Sequence, residues 1–343
     1  MRVSVIIRTK DEASRLRLTL ASLVEQTEPA EIVVVNDGSS DDTRTVIEEY
    51  SGTLSLVAIH NTAAQGRSEA SNIGARAASG DILIFLDGDT LVGPEFVVRH
   101  LALHRTHDGL IGRGETWHLR ATRFFADPET LTPMPGEVER VARMRASELD
   151  RARVSREIIR DDFARIVRNA QPGIYPGAGP RILYDLEMAA LREAPDCPVL
   201  WAAASGSNQS GSRTAFLAAG GFDAELSINE HRELALRLCK AGARMRPVEG
   251  AHSFHMTHRS GWRDPLVDRA WERHFYAAHP DPAVALLGVL WGSLSEPPQW
   301  PSQAQIATFP ALAQAAERCA GIVGLDRVRQ AHLGQYGLDW EAA

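Results

Sequence analysis

The chain has 343 residues, a hydrophobic share of 44% and a formal net charge of −7 at pH 7. That length and apolar content predict a large core, either one big domain with additions or two domains. The acidic balance excludes a general attraction to nucleic acid or anionic lipid, so any polyanion site has to be local.

The first hundred residues alternate strand and helix signals at the spacing of βαβ units. VSVII (3 to 7) is a short apolar run, and Leu16, Leu20, Leu23 and Val24 recur at helical spacing across 11 to 26. EIVVVND (31 to 37) is a second strand, ended by a turn-rich cluster, and DDTRTVIEEY opens a helix whose Asp41 and Asp42 suit its N-terminal dipole. LSLVAIH (54 to 60) is a third strand. SEASNIGARAAS is a small-residue helix in which Asn72 braces a loop, and DILIFLD (81 to 87) is a fourth strand. An α/β class with a doubly wound, mostly parallel sheet follows.

After His104 the rhythm breaks. Residues 105 to 136 are irregular, and 137 to 169 form a long charged amphipathic helical stretch whose charges read as a solvated face. QPGIYPGAGP (171 to 180) is a proline and glycine loop. Regular structure resumes from Pro198, with a helix over about 229 to 241 and a strand-like RMRPVEGAHSF. From 265 onward the chain reads as helical, interrupted by SEPPQWPSQ, and no internal repeat is visible. No signal peptide is expected from the start MRVSVII. AVALLGVLW (283 to 291) is far short of the ~20 residues that span a bilayer, so no transmembrane segment is expected. Three widely spaced cysteines without a C-x-x-C pair fit a reduced, cytoplasmic protein, with peripheral contact to a membrane-borne substrate left open.

The apolar run Ile82 to Leu86 ends in Asp87-Gly88-Asp89. The carboxyl ends of parallel strands are where such sheets bind ligands, and two adjacent uncompensated carboxylates call for a cation. Two further strand ends carry polar clusters, Arg8-Thr9-Lys10-Asp11-Glu12 and Asn36-Asp37-Gly38-Ser39-Ser40-Asp41. Together they line one sheet edge able to hold a nucleotide. Asp37 can accept from a base N–H, another carboxylate can hold a ribose, and a divalent metal at the Asp pair can take a diphosphate.

In sequence, VSVIIRTKDEASRLRLTLASLVEQT, EIVVVNDGSSDDT, NTAAQGRSEASNIGARAASGDILIFLDGDT and AAGGFD resemble the family-2 glycosyltransferases of GT-A fold, closely over about 1 to 104 and more loosely over 200 to 260. The resemblance implies an inverting, metal-dependent transfer from a UDP- or GDP-linked sugar to a hydroxyl acceptor, whether saccharide, lipid-linked or small molecule. It places Thr9 and Glu12 near the nucleoside, Asp37 on the base and Arg67 near base or diphosphate. Asp87, Gly88 and Asp89 become the DxD element at ribose and metal, with Mg²⁺ or Mn²⁺ as the cation. Implied divisions are 1–104 for the donor half, 105–180 for an insertion, 181–264 for the acceptor half and 265–343 for a helical extension.

On the acceptor side the family has an acidic pair after its GGFD turn, whose second member is the base. Here Glu230 is kept and His231 stands in place of Asp. Both side chains are able bases, and which one acts stays open; Asp223 is the next candidate. HSFHMTHR (252 to 259) clusters three histidines, a pattern suited to a divalent metal. The family resemblance favours His255 as a metal ligand and His258 second, with His252 structural. Besides a sugar-1-phosphate nucleotidyltransferase, which would need a glycine-rich loop where RTKDEASR has no glycine, two rival readings are a haloacid-dehalogenase-like phosphatase and a non-catalytic nucleotide-sugar-binding protein. In the first, FLDGDT would carry the nucleophile, but Thr90 comes one position early; the second is motivated by the missing Asp at 231.

Overall fold

The computed structural model describes residues 1–172, 183–258, 265–295 and 297–339. It begins with β1 (Val3–Thr9), α1 (Ala13–Val24), β2 (Glu31–Asp37), α2 (Thr43–Tyr50), β3 (Ser55–Asn61), α3 (Arg67–Ala77) and β4 (Ile82–Asp87). β1 lies between β2 and β4 and is parallel to both, and β2 is parallel to β3. These strands read as unbroken apolar runs because both faces of the sheet are covered. Val5, Ile7, Val34, Ile84 and Leu86 pack with Leu16, Leu20, Val46 and Ile47 of α1 and α2. The alternate residues Ile6, Val33, Leu83 and Phe85 turn to the other face and meet Ala75, Phe216 and Phe222.

The middle of the chain supplies β5 (Thr90–Val92), α4 (Phe96–Thr106) and β6 (Leu110–His118), then the short pair β7 (Phe125–Asp127) and β8 (Thr132–Pro133). The stretch from 137 to 169 is helical, as its composition predicts, but it is not one helix. It is broken into α5 (Val138–Ala142), α6 (Ala146–Ala152), α7 (Arg156–Asp161) and α8 (Phe163–Asn169). The breaks have local causes. The side chains of Ser155 and Asp162 accept from the backbone N–H groups of Ile158 and Arg165, starting new helices where a continuous one would need unbroken backbone pairing. The short strand β9 (Gln171–Pro172) pairs with β6, and the remainder of the expected loop at 171 to 180 lies outside the described residues.

α9 (Leu183–Glu193), β10 (Gln209–Ser212), α10 (Arg213–Ala218), α11 (Glu230–Lys240) and β11 (Arg244–His255) complete the sheet. Its strand order is β3-β2-β1-β4-β10-β6-β11-β5. β10 is antiparallel to β4 and β6, β11 is parallel to β6, and β5 is antiparallel to β11. The last helices are α12 (Ala270–Ala278), α13 (Pro282–Ser293), α14 (Phe309–Arg318) and α15 (Leu325–Gly334). The AVALLGVLW run is α13, buried from Ala283 to Ser293 and therefore apolar on all sides. It shares one hydrophobic cluster with Trp201, Leu236 and Met245 of the sheet-bearing part and with Phe309, Leu312 and Leu333 of the helices after it. Among the described residues no helix is long and apolar enough to cross a membrane.

Candidate active site

The parallel register brings the strand-end clusters together. Arg8 and Asp87 are direct neighbours across β1 and β4, and their side chains form an ion pair at 2.8 Å. The positive charge that the Asp87-Gly88-Asp89 stretch calls for thus comes, at Asp87, from the protein itself. Arg8 also donates to Ser71 at 3.3 Å. Gly88 is closely backed: a Cβ there would lie 2.6 Å from Glu12 Oε1 and 2.9 Å from Thr9 Oγ1. Thr9, Glu12 and the Asp87–Asp89 turn are therefore one packed unit. Burial, then the charges of Asp89 and Asp87, hold the Glu12 carboxyl well above its ordinary value.

Asp37 does not stand open at its strand end. Its carboxylate accepts from Asn61 Nδ2 at 2.8 Å and from the backbone N–H groups of Gln65 and Gly66 at 2.8 and 3.0 Å. Gly38 has φ +71, and a Cβ there would meet Ala64 N at 2.7 Å. Asp37 and Gly38 thus clamp the 61 to 66 loop, which leads into Arg67 at the first turn of α3, an exposed residue at the cavity rim. Asn72 braces a loop as expected: it donates to Phe222 O at 2.9 Å and accepts from Phe222 N at 2.8 Å, pinning the GGFD turn. Asp41 accepts from Ala13 N at 2.9 Å and Thr43 N at 3.1 Å, joining the starts of α1 and α2.

Asp89 lies in a second cluster. In the antiparallel pairing of β11 with β5, His255 faces Thr90, next to Asp89; on its other side it faces His118 of β6. Asp89 Oδ2 is 3.1 Å from His255 Nε2 and 2.7 Å from His258 Nε2. His118 Nδ1 lies 3.2 Å from His255 Nδ1. The ligand atoms of Asp89, His255 and His258 are all within 4.8 Å of one another. Burial works against ionisation of Asp89, yet the two imidazoles overcome it and hold the carboxyl well below its usual range. For His255 burial is likewise outweighed, by the Asp89 charge, and its imidazole is raised. For His118 burial comes first, and with His255 and Arg120 beside it outweighs the Asp89 charge and pushes the imidazole down to about 3. One carboxylate and two imidazoles are a donor set that suits a divalent transition metal. Asp87, tied to Arg8, is not part of this trio.

Between these clusters and α11 is a cavity of about 210 Å³, lined among others by Arg8, Arg67, Asp87, Glu230, His231 and His255. A larger one of about 760 Å³ lies between Trp201, Leu236 and α14, and none of the sequence-expected site residues lines it. Glu230 and His231 are both at the start of α11. A Cβ at Gly206 would meet His231 Nδ1 at 3.3 Å, Glu230 Oε1 at 3.6 Å and Arg8 Nη2 at 3.8 Å, so all three crowd one point. Burial alone would raise Glu230, but His231 and Arg8 bring it to about 2. Burial, with Arg232 beside it, lowers His231. At Glu230 the neighbouring His231 is thus the larger influence and Arg8 adds to it. The two side chains are 3.6 Å apart, longer than a hydrogen bond. Asp223, the next candidate base, is engaged elsewhere, by His274 Nε2 at 2.8 Å and Glu225 N at 2.9 Å.

His118 and Arg232 are site neighbours that local sequence patterns did not single out, and Arg8 was read only as a member of its strand-end cluster, not as the partner of Asp87. Arg8 could have been found from strand pairing, since it aligns with Asp87 once β1 and β4 are adjacent. His118 and Arg232 carry no local signal.

Comparison with known proteins gives a family match over the N-terminal third of the chain and a likeness of fold. Residues 4–115 match the model of glycosyl transferase family 2. Over 119 residues the chain is 33% identical to the uncharacterized glycosyltransferase YfnE of Bacillus subtilis, covering 34% of this chain and 30% of that protein. Over 106 residues it is 41% identical to a validoxylamine A glucosyltransferase of Streptomyces hygroscopicus subsp. jinggangensis, covering 30% of this chain and 25% of that one. The chain thus spans no more than about a third of the length of these curated relatives. Among solved structures it is similar to the mannosyltransferase PcManGT from Pyrobaculum calidifontis, solved with GDP-Man and Mn²⁺. The TM-score is 0.54, with 98% of this chain and 81% of that one covered at 17% identity, a likeness of fold. The architecture is the GT-A fold, and residues 4–115 carry the match to glycosyl transferase family 2.

Proposed function

We propose that the protein transfers a hexosyl group from a nucleotide-diphosphate sugar to a hydroxyl acceptor by direct displacement with inversion, and that Glu230 takes the acceptor proton. The observation that carries this reading is the single cavity flanked by Arg8–Asp87, by Glu230 and by His255 of the Asp89 cluster. The family match supports the donor class, and the relative named as a glucosyltransferase supports a hexosyl group. On this reading Thr9, Glu12, Asp37, Arg67 and Asp87 serve the nucleotide, Asp37 by shaping the loop under it.

Among the described residues three carboxylates line the cavity. Asp87 is tied to Arg8, and Glu187 is tied to Arg113 and Arg232, which leaves Glu230 for the acceptor hydroxyl. Among the described residues, one available base and no second untied carboxylate to act as nucleophile is the arrangement of a single displacement. A carboxylate held at about 2 is always ionised and weakly basic, so its work falls in the transition state, where the attacking hydroxyl has become acidic. Glu230 is favoured over His231 because Nε2 of the imidazole already accepts from Arg232 at 2.8 Å.

Asp89, His255 and His258 would hold the divalent cation, and two imidazoles in the set favour Mn²⁺ over the oxygen-seeking Mg²⁺. Bound there, the cation would neutralise charge on the departing diphosphate as a Lewis acid. The mannosyltransferase neighbour, solved with GDP-Man and Mn²⁺, supports that pairing of ligands. Calorimetry with UDP and with GDP, with and without Mn²⁺, tests the reading. Tight binding of one nucleotide that needs Mn²⁺ is expected; heat from neither under either condition would reject it.

A further inference from the structure

In the cavity wall three charged side chains meet largely out of reach of water. Glu187 of α9 and Arg113 of β6 each have a fully buried side chain, 0% exposed, and are paired at 2.6 Å. The other oxygen of Glu187 pairs with Arg232 of α11, also at 2.6 Å. Two guanidinia thus share one carboxylate. Burying such charges carries a desolvation cost that apolar side chains of similar volume would avoid, so stability alone does not account for the assembly.

What the assembly holds in place is Arg232. Its Nε donates to Ala202 O at 2.8 Å, its Nη1 to Asn229 Oδ1 at 2.8 Å, and its face lies over the Trp291 ring at 5.0 Å. The same Nη1 is 2.8 Å from His231 Nε2. A guanidinium can only donate, so that ring nitrogen has to present its lone pair. The proton of the neutral imidazole is then on Nδ1, the atom 3.6 Å from Glu230 Oε1 and otherwise buried without a hydrogen-bond partner. Charged groups facing the imidazole are Glu230 and Arg232 from α11 and Glu187 from α9, while Arg8 of β1 faces Glu230.

We propose that Glu187 is a positioning residue: by anchoring Arg232 it fixes His231 as the Nδ1–H tautomer directed at Glu230. The inference deepens the reading of Glu230 as the base and rests on it for its catalytic meaning. The tautomer itself does not depend on that reading. In this arrangement a neutral N–H beside the carboxylate replaces the second acid of the family's pair. It orients Glu230 without competing for the acceptor proton.

The experiment is nitrogen NMR of the full-length protein with labelled histidine, the His231 signal being assigned by its loss in His231→Gln. In the unmodified protein His231 is expected as the neutral Nδ1–H form between pH 6 and 8. In Glu187→Gln the lone pair on Nε2 is released. The ring should then exchange between tautomers and titrate closer to its ordinary value, with kcat down about ten-fold and donor affinity unchanged. An Nε2–H or protonated ring in the unmodified protein at pH 7 overturns the proposal, and so does a folded Glu187→Gln with an unaltered tautomer. Should Glu187→Gln fail to fold, Arg232→Lys keeps a cation for Glu187 without the fixed fork of donors, and an unaltered tautomer there is equally decisive. Full activity in Glu230→Gln would instead remove the base while leaving the tautomer result standing.

Discussion

Glu230, Asp89 and Gly88 carry the sharpest expectations for single side chains. Removing a base that touches only the acceptor lowers turnover by about 10²- to 10⁴-fold and leaves donor affinity alone. Glu230→Gln should therefore retain its calorimetric donor affinity while kcat falls on that scale. The charge of Asp89 looks repulsive in sequence, so neutralising it would be expected to relieve strain. The structure reverses that expectation, because the carboxylate pairs with two imidazoles. Asp89→Asn should lower the stability of the metal-free protein by about 1–3 kcal/mol, measured by urea unfolding, and abolish the Mn²⁺ dependence of nucleotide binding. At Gly88 an added methyl would press on Glu12 and Thr9 at 2.6 and 2.9 Å. Gly88→Ala should cost about 1–3 kcal/mol, read as a lowered Tm, and weaken donor binding as Thr9 and Glu12 move.

Among the elements, α4 sets a pH limit on the fold. His100 Nδ1 and His104 Nε2 both lie 2.8 Å from Ser210 Oγ of β10, and His100 Nε2 lies 2.9 Å from Asn208 Oδ1. Burial pushes His100 down to about 3 and His104 to about 4. In the unfolded chain both titrate near ~6.5, so below that pH the unfolded state binds more protons. The stability these residues contribute is complete above ~6.5 and is lost as pH falls toward their folded values. On the order of 2 kcal/mol per histidine should be gone by about pH 4.5. Urea midpoints at pH 7.5 and 4.5 measure the loss, and His104→Gln should shrink the difference between them. Strand β11 acts on function in the same structural way. By pairing with β5 and β6 at once, it places His255 between residues far from it in sequence.

For the molecule as a whole, the C-terminal helices bear on the site. Helix α13 packs into the cluster that also holds Trp201 and Leu236, and its Trp291 lies under Arg232. Helix α12 and the residue that ends it reach α11 and the GGFD turn before it: His279 is 2.7 Å from Glu233 of α11, and His274 is 2.8 Å from Asp223 of the turn. Trp291→Ala should therefore destabilise by about 3–5 kcal/mol in denaturant unfolding, since the ring is almost fully buried. Turnover at permissive temperature should fall as well, because Arg232 loses the surface it rests on. A stability loss with unchanged kcat would show that the helices only complete the core.

The order of strands and helices through β4 was legible in the sequence, because strands covered on both faces must be continuous apolar runs and the helices between them must repeat every three to four residues. The three strand-end clusters were legible for the same reason, since parallel strands put their carboxyl ends on one edge. So was the histidine cluster at the end of β11 as a metal-binding candidate, by residue type. Partner choice was not legible. Asp87 meets Arg8, Asp89 meets His255 and His258, and Asp37 is used by its own loop. Two of the three breaks in the 137 to 169 stretch depended on side-chain caps that compete with helix continuation at energies too close to separate by pattern. The division of roles between Glu230 and His231 lay furthest out of reach. It turns on Arg232, whose position is set by Glu187 and Trp291, and contacts across 45 or more residues of chain exist only once the tertiary fold has brought those elements together.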